Sequence, residues 1–287
     1  MCRWLAYSGD PIPIEALVFR RKHSLIDQSL HSQLGATTTN GDGFGIGWYG
    51  EGPTPGVYRS VQPAWSDRNL RELAQHISSR LFFAHIRSST GTAVQETNAH
   101  PFRHGRWLFM HNGLVREFPR LKRDMLIAID PSLIPSIEGS TDSEVLFHLA
   151  MTFGLEEDAV AALERMAGFV EDLGERHGVE HPLQMSVAVS DGQRVVVARY
   201  SSERQSRSLF FSTDARALKQ MYPRIEELQL ISDDARAIVS EPLGDLQGAW
   251  NEVPESHVGI VQPGLDELRP FTPRRGFRRI ERSATGR

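Results

Sequence analysis

The chain has 287 residues, of which 40% are hydrophobic and 24% charged, with a net charge of −4 and a single cysteine. That length fits one large domain or two small ones, either able to bury a substantial core. The charge excludes a dedicated nucleic-acid binder with a basic stripe, one cysteine excludes an intrachain disulfide, and the lack of an 18-residue apolar run excludes a helical membrane span. The first residues lack the basic segment and apolar run of a signal peptide. A cytoplasmic location is therefore expected, where a thiol stays reduced.

Cys2–Ser8 reads as an opening strand. Gly43–Tyr49 reads as a second, with Gly43, Gly45 and Gly47 on one face, open to close approach by a backbone or ligand. Their spacing does not match a dinucleotide fingerprint. Ser66, followed by Leu70, Leu73, Ala74 and Ile77, reads as the N-cap of an amphipathic helix. Leu81–Arg87 and Arg106–His111 read as buried strands, with Asn112-Gly113 as a turn pair. Thr141 and Glu144 form a capping-box pattern for a helix reaching toward Phe153, and Ala159–Leu173 continues as helix. Gln184–Ser190 and Arg194–Tyr200 flank Asp191-Gly192, a hairpin signal. Shorter strands are expected at Leu209–Ser212 and Val258–Val261. Residues 269–287, with Arg274, Arg275, Arg278, Arg279 and Arg282, read as a solvated tail with at most a docking segment. Strands that come in pairs as well as between helices favour an antiparallel core covered by helices.

Cys2 directly follows Met1. If Met1 is removed, one residue carries both a thiol and an α-amine. The amine, with an ordinary pKa of about 7.7–8.0, can take the thiol proton and activate the nucleophile. A lone cysteine is otherwise a small buried hydrophobe, so the other segments decide. They are Asn40-Gly41-Asp42-Gly43-Phe44-Gly45, Ala84-His85-Ile86-Arg87-Ser88-Ser89-Thr90-Gly91, His111-Asn112-Gly113 and Thr141-Asp142-Ser143-Glu144.

In this order, behind Met1-Cys2-Arg3, the segments resemble the glutaminase domain of class II glutamine amidotransferases, members of the N-terminal-nucleophile hydrolases. The resemblance implies an α+β fold, a four-layer αββα sandwich of two antiparallel sheets, over residues 1–268, followed by the tail 269–287. It implies hydrolysis of the γ-amide of glutamine to glutamate and ammonia, without a cofactor or metal. Cys2 would be the nucleophile. Asn112 and Gly113 would supply oxyanion donors, each contributing about 2.7–4 kcal/mol. Arg87, with Thr90 nearby, would hold the substrate α-carboxylate through its guanidinium fork, and Asp142 would hold the α-ammonium. Ser88 and Gly91 stand where transferases that make amino sugars or nucleotides often carry an aromatic residue and a histidine, which weakens any ammonia-gating role there.

The glutaminase-like region is expected to leave no room for a synthase domain behind it. It is expected either to serve an ammonia-accepting partner subunit or to stand alone. It looks similar to stand-alone members that remove γ-glutamyl groups with larger leaving groups, in ergothioneine synthesis and glutathione breakdown. A non-catalytic sensor of glutamine or γ-glutamyl compounds is the remaining alternative. A His–Cys2 dyad oriented by Asn112 would replace the amine mechanism. The His100/His104 spacing could suggest metal ligation, but Pro101 disfavours a helix across it.

Overall fold

Alternation along the first strand sorts its side chains into two cores: Trp4 and Ala6 face the second sheet, while Leu5 and Tyr7 face a layer of helices. The computed structural model describes residues 2–34, 39–89, 91–229, 231–262 and 265–276. Its strands are β1 (Arg3–Pro13), β2 (Phe44–Trp48), β3 (Gly56–Ser60), β4 (Ser78–Ile86), β5 (Phe102–His104), β6 (Trp107–Val115), β7 (Leu183–Ser190), β8 (Val195–Ser201), β9 (Phe210–Ser212), β10 (Arg236–Val239), β11 (Trp250–Glu252), β12 (His257–Gln262) and β13 (Leu265–Pro270). Its helices are α1 (Glu15–Val18), α2 (Leu25–Leu30), α3 (Arg68–His76), α4 (Phe118–Ala128), α5 (Asp142–Thr152), α6 (Ala159–His177), α7 (Ala215–Met221) and α8 (Glu226–Gln229).

One sheet runs β11-β9-β10-β1-β4-β2-β3 and the other β13-β12-β8-β7-β6-β5. The pairings are antiparallel. Between the sheets lie Trp4, Phe83, Leu108, Met110, Ala188 and Val197. Leu5, Phe44, Phe82 and Ile86 pack outward with Leu17, Leu25 and Leu70 of α1, α2 and α3. On the other outer face, Phe109, Met185 and Val187 pack with Leu121, Phe147 and Leu163 of α4, α5 and α6. This is the expected αββα sandwich. Full burial of each large apolar side chain contributes about 1.5–3 kcal/mol. No helix among the described residues is long and apolar enough to cross a membrane.

The alternate glycines of β2 are explained by close packing: a Cβ at Gly45 would lie 2.2 Å from the His100 carbonyl oxygen, and one at Gly47 would lie 2.8 Å from the Pro101 ring. The Asp191-Gly192 hairpin forms between β7 and β8.

Three local readings change. Ser66 does not cap α3. It closes a 3₁₀ turn (Ala64–Ser66), with its hydroxyl donating to the Pro63 carbonyl at 3.0 Å, and Asp67 caps the helix by accepting from Leu70 N at 2.8 Å. Asn112-Gly113 is not a turn, because β7 offers partners opposite both residues and β6 runs on to Val115. Thr141 accepts from Glu144 N at 3.2 Å, but the return arm of the capping box is absent. The Glu144 carboxylate accepts instead from Glu138 N and Gly139 N, at 2.9 and 2.7 Å.

The described part of the tail docks on α6. Phe271 is buried, Arg274 Nε donates to Glu164 at 2.6 Å, and Arg275 lies among Glu171, Asp172 and Glu175. Gly168 allows the contact, since a Cβ there would meet the Arg274 carbonyl oxygen at 2.2 Å. Arg278, Arg279 and Arg282 lie outside the described residues.

Candidate active site

Cys2 precedes β1, the middle strand of its sheet. Antiparallel pairing sets Arg3 opposite Ile86, so the start of β1 meets the end of β4. Ser88 N donates to Cys2 Sγ at 3.3 Å, and the thiol donates to Ser88 O at 3.5 Å. The start of β2 reaches the same corner: Phe44 also pairs with Ile86, Arg87 N donates to Gly43 O at 2.9 Å, and Asp42 accepts from Ser89 N at 2.7 Å. Gly43 takes a φ of +100° there, a left-handed conformation natural to glycine.

The second sheet supplies the opposite wall. Asn112 Nδ2 donates to Cys2 O at 2.9 Å, tying β6 to the nucleophile's backbone. Gly113 has a φ of +151°, and a Cβ would lie 1.9 Å from Gln184 O, so no side chain fits. Asp142, the first residue of α5, accepts from Val115 N at 2.7 Å and from Ser143 N at 2.8 Å. Cys2, Arg87, Gly113 and Asp142 line one cavity of about 600 Å³, with Leu114 and Phe118 among its other walls. Asn112 is buried and is not among the residues that line it. Thr90 lies outside the described residues.

Arg87 is 4% exposed. Its NH2 nitrogen donates to Thr92 Oγ1 at 2.6 Å and to Ser89 Oγ at 3.3 Å, while NH1 is buried without a hydrogen-bond partner among the described residues. Burial pushes the Cys2 thiol pKa up. The Ser88 N–H, the chain's positive terminus and the Arg87 and Arg3 guanidiniums pull it back in part.

The histidines do not pair with the thiol, whose hydrogen bonds go to Ser88. His111 Nε2 donates to Gln184 O at 3.3 Å, which leaves Nδ1 to accept from Ser143 Oγ at 2.9 Å. His85 and His100 stack at 4.2 Å between centroids. Burial lowers the pKa of all three, that of His85 to about 3. No group of three or more His, Cys, Asp or Glu among the described residues could hold a metal.

Sequence reading missed the partners that act through the backbone. In the sequence Ser88 is only a departure from a family pattern, and Asp42 only a member of the glycine-rich segment Asn40–Gly45. Arg3 and Glu241 were not seen together at all. They are 238 residues apart and form a buried ion pair at 2.7 Å beside Cys2. Burial alone would raise the Glu241 pKa, but bonds from Gln33 N and His23 and the charge of Arg3 hold it below its ordinary value.

Residues 20–280 match the family model of class-II glutamine amidotransferases, a span that begins after Cys2. The chain is 32% identical to the probable glutamine amidotransferase DUG3 of Saccharomyces cerevisiae, over 94% of this chain and 84% of that one. It is 25% identical to the gamma-glutamyl-hercynylcysteine sulfoxide hydrolase of Mycolicibacterium smegmatis, over 91% of this chain and 96% of that one. Among solved structures, it is similar to a glutamine aminotransferase class-II domain protein from Silicibacter pomeroyi, with a TM-score of 0.72 and 34% identity, covering 95% of this chain and all of that one. It shares the fold of the Bacillus subtilis glutamine phosphoribosylpyrophosphate amidotransferase, with a TM-score of 0.59 and 16% identity, covering 96% of this chain and half of that one.

Proposed function

Because the chain belongs to the class-II glutamine amidotransferases, we propose that it hydrolyses a γ-glutamyl amide, with Cys2 as nucleophile once Met1 has been removed. The carrying observation is the convergence of Cys2, Arg87, Gly113 and Asp142 on one cavity, from two sheets and a helix start. Arg87 NH1, unpaired among the described residues, is the donor for the substrate α-carboxylate, with Thr90 of the same segment assigned to that carboxylate, and Asp142 holds the α-ammonium.

In this reading the freed α-amine of Cys2 takes the thiol proton, and the thiolate attacks the γ-carbonyl carbon. The oxyanion that forms is met by the Gly113 N–H and by Asn112 Nδ2, which has two hydrogens and can keep one on Cys2 O. Collapse breaks the C–N bond, and the α-ammonium returns its proton to the departing amine. Water then attacks the thioester, the amine accepts a proton from that water, and glutamate leaves as the thiol is restored.

Glutamine, releasing ammonia, is the simplest substrate and would feed an acceptor subunit. A stand-alone hydrolase with a larger leaving group is the second reading. It is favoured by the near full-length match to a relative named as a γ-glutamyl hydrolase and by the Leu114 and Phe118 wall beyond the glutamyl subsite.

The test begins with intact mass to establish loss of Met1, then measures glutamate release from L-glutamine and from γ-glutamyl-p-nitroanilide. Release that disappears in Cys2→Ala is expected, and turnover surviving in Cys2→Ala rejects the reading. Protein retaining Met1 should be inactive, because its nucleophile has an amide where the base should be. Full activity with Met1 retained would point to another base. Ligand binding unchanged in Cys2→Ala, without turnover in the parent protein, would indicate a sensor.

A further inference from the structure

The geometry points to Glu241 as a positioning residue for Cys2, acting through Arg3. The inference rests on the proposed Cys2 chemistry.

Ladder pairing of β1 with β10 ends at Leu5 and Val239. Beyond it, Ser240 N donates to Trp4 O at 3.0 Å and Trp4 N donates to Ser240 Oγ at 2.9 Å, so the chain leaving β10 tracks β1 toward its start. The next residue, Glu241, delivers a carboxylate beside Arg3. Both residues are 1% exposed, and neither lines the Cys2 cavity.

Three engagements of the Arg3 guanidinium lie among the described residues. Nε donates to Glu241 at 2.7 Å, NH2 donates to Ser32 Oγ, and NH1 donates to Cys2 O at 3.0 Å. The fork is planar and rigid, so holding Nε and NH2 aims NH1 at the Cys2 carbonyl. That carbonyl also accepts from Asn112 Nδ2 of the other sheet. Two donors from opposite sides fix the Cys2–Arg3 peptide plane, and with it the Cα from which both thiol and α-amine project.

Glu241 is itself immobilised. It accepts from Gln33 N at 2.9 Å, Leu34 N at 3.1 Å, Ser32 Oγ at 3.2 Å and His23 Nε2 at 2.6 Å, as well as from Arg3. An ion pair that only holds the fold is often replaceable at little cost. This one transmits a direction to the nucleophile, and a displacement of about 1 Å at a reacting group can cost about 10²-fold in rate.

The test compares kcat and KM of Glu241→Gln and Arg3→Lys with the parent enzyme, all free of Met1, on L-glutamine and γ-glutamyl-p-nitroanilide. Melting curves establish that each variant is folded at the assay temperature. Both should lose about 10- to 100-fold in kcat, with KM changed by less than about twofold. Lysine should not rescue, since it keeps the charge without the fork, and the double variant should be no worse than the weaker single one. A folded variant with parental kcat, or a loss carried wholly by KM, overturns the inference. If Glu241→Gln does not fold, Ser32→Ala decides: a fall in kcat of about two- to fivefold supports the inference and an unchanged kcat rejects it. An inactive Cys2→Ala beside an unimpaired Glu241→Gln overturns the positioning role alone. Turnover in Cys2→Ala removes the premise as well.

Discussion

Two buried guanidiniums flank Cys2, and they are treated differently. On one side, Arg3 faces a carboxylate, a hydroxyl and a carbonyl. On the other, among the described residues, Arg87 donates to two hydroxyls, and its NH1 is unpaired in the wall of a cavity. A buried cation is costly unless it is paired, so the two sites differ in when the partner arrives. Arg3 has an internal partner and suits holding the nucleophile. Arg87 donates to no carboxylate among the described residues and suits receiving one with the substrate. Satisfied charge marks scaffold, and unsatisfied charge at a cavity marks recognition.

The largest expected effect is on Cys2 itself. Cys2→Ala should remove turnover by about 10³-fold or more while leaving the two guanidinium environments intact. Glutamate release and ligand binding on the same sample check this, and measurable turnover would remove the residue that the comparison is built around.

Next is acid. His85, His100 and His111 are held neutral by burial. The unfolded chain binds protons at these residues near pH 6.5, whereas burial makes the folded chain bind them only at lower pH. Stability should therefore be full above about pH 7 and fall as pH drops below 6.5, by about 1.4 kcal/mol per pH unit for each excluded proton. Melting temperatures from pH 7.5 to 5 test this, and a flat profile contradicts neutral burial.

Arg87→Ala should then cost about 1.5–3 kcal/mol in kcat/KM, as loss of a charged hydrogen bond to the substrate carboxylate. It should cost little in melting temperature. If it unfolds the protein without altering kinetics in the folded fraction, Arg87 is scaffold like Arg3 and the comparison collapses. Asp142→Asn should cost about 1 kcal/mol, selectively for substrates with a free α-amine. Equal losses on α-acylated substrates would reject that role. The smallest effect is expected far from Cys2. Arg274 is half exposed at its ion pair with Glu164, so Arg274→Ala should cost about 0.5–1 kcal/mol of stability, discounted for solvent screening, with kcat unchanged. A fall in kcat would tie the docked tail to the site.

Much of the layered fold was legible because period and punctuation are local. Asp191-Gly192 marked its hairpin, and Cys2–Ser8 carries the signal of an opening strand, which β1 bears out from Arg3. Local signals failed where another partner made a better offer. Asn112-Gly113 carries a turn signal, yet Ser186 and Met185 lie opposite and draw it into β6. Ser66 has the chemistry of a cap, yet it is used by the Pro63 carbonyl, one residue too early. Glu144 has the position for a capping box, but the loop at Glu138 and Gly139 supplies two orphan N–H groups for its carboxylate.

By itself the sequence determined the kinds of group available to the site: one thiol behind Met1, a guanidinium in the Arg87 segment, a glycine after Asn112 and a carboxylate opening a helix. These are properties of residue type and neighbour spacing, and they survive any arrangement of the chain. Only the tertiary structure decided which charges are answered. Glu241 reaches Arg3 because β10 lies beside β1, and Arg87 NH1 is left open among the described residues because Arg87 bonds to hydroxyls while the nearby Asp42 carboxylate is taken by Ser89 N. Whether a buried charge is satisfied depends on atoms brought within about 3 Å from remote positions, and no local pattern encodes that distance.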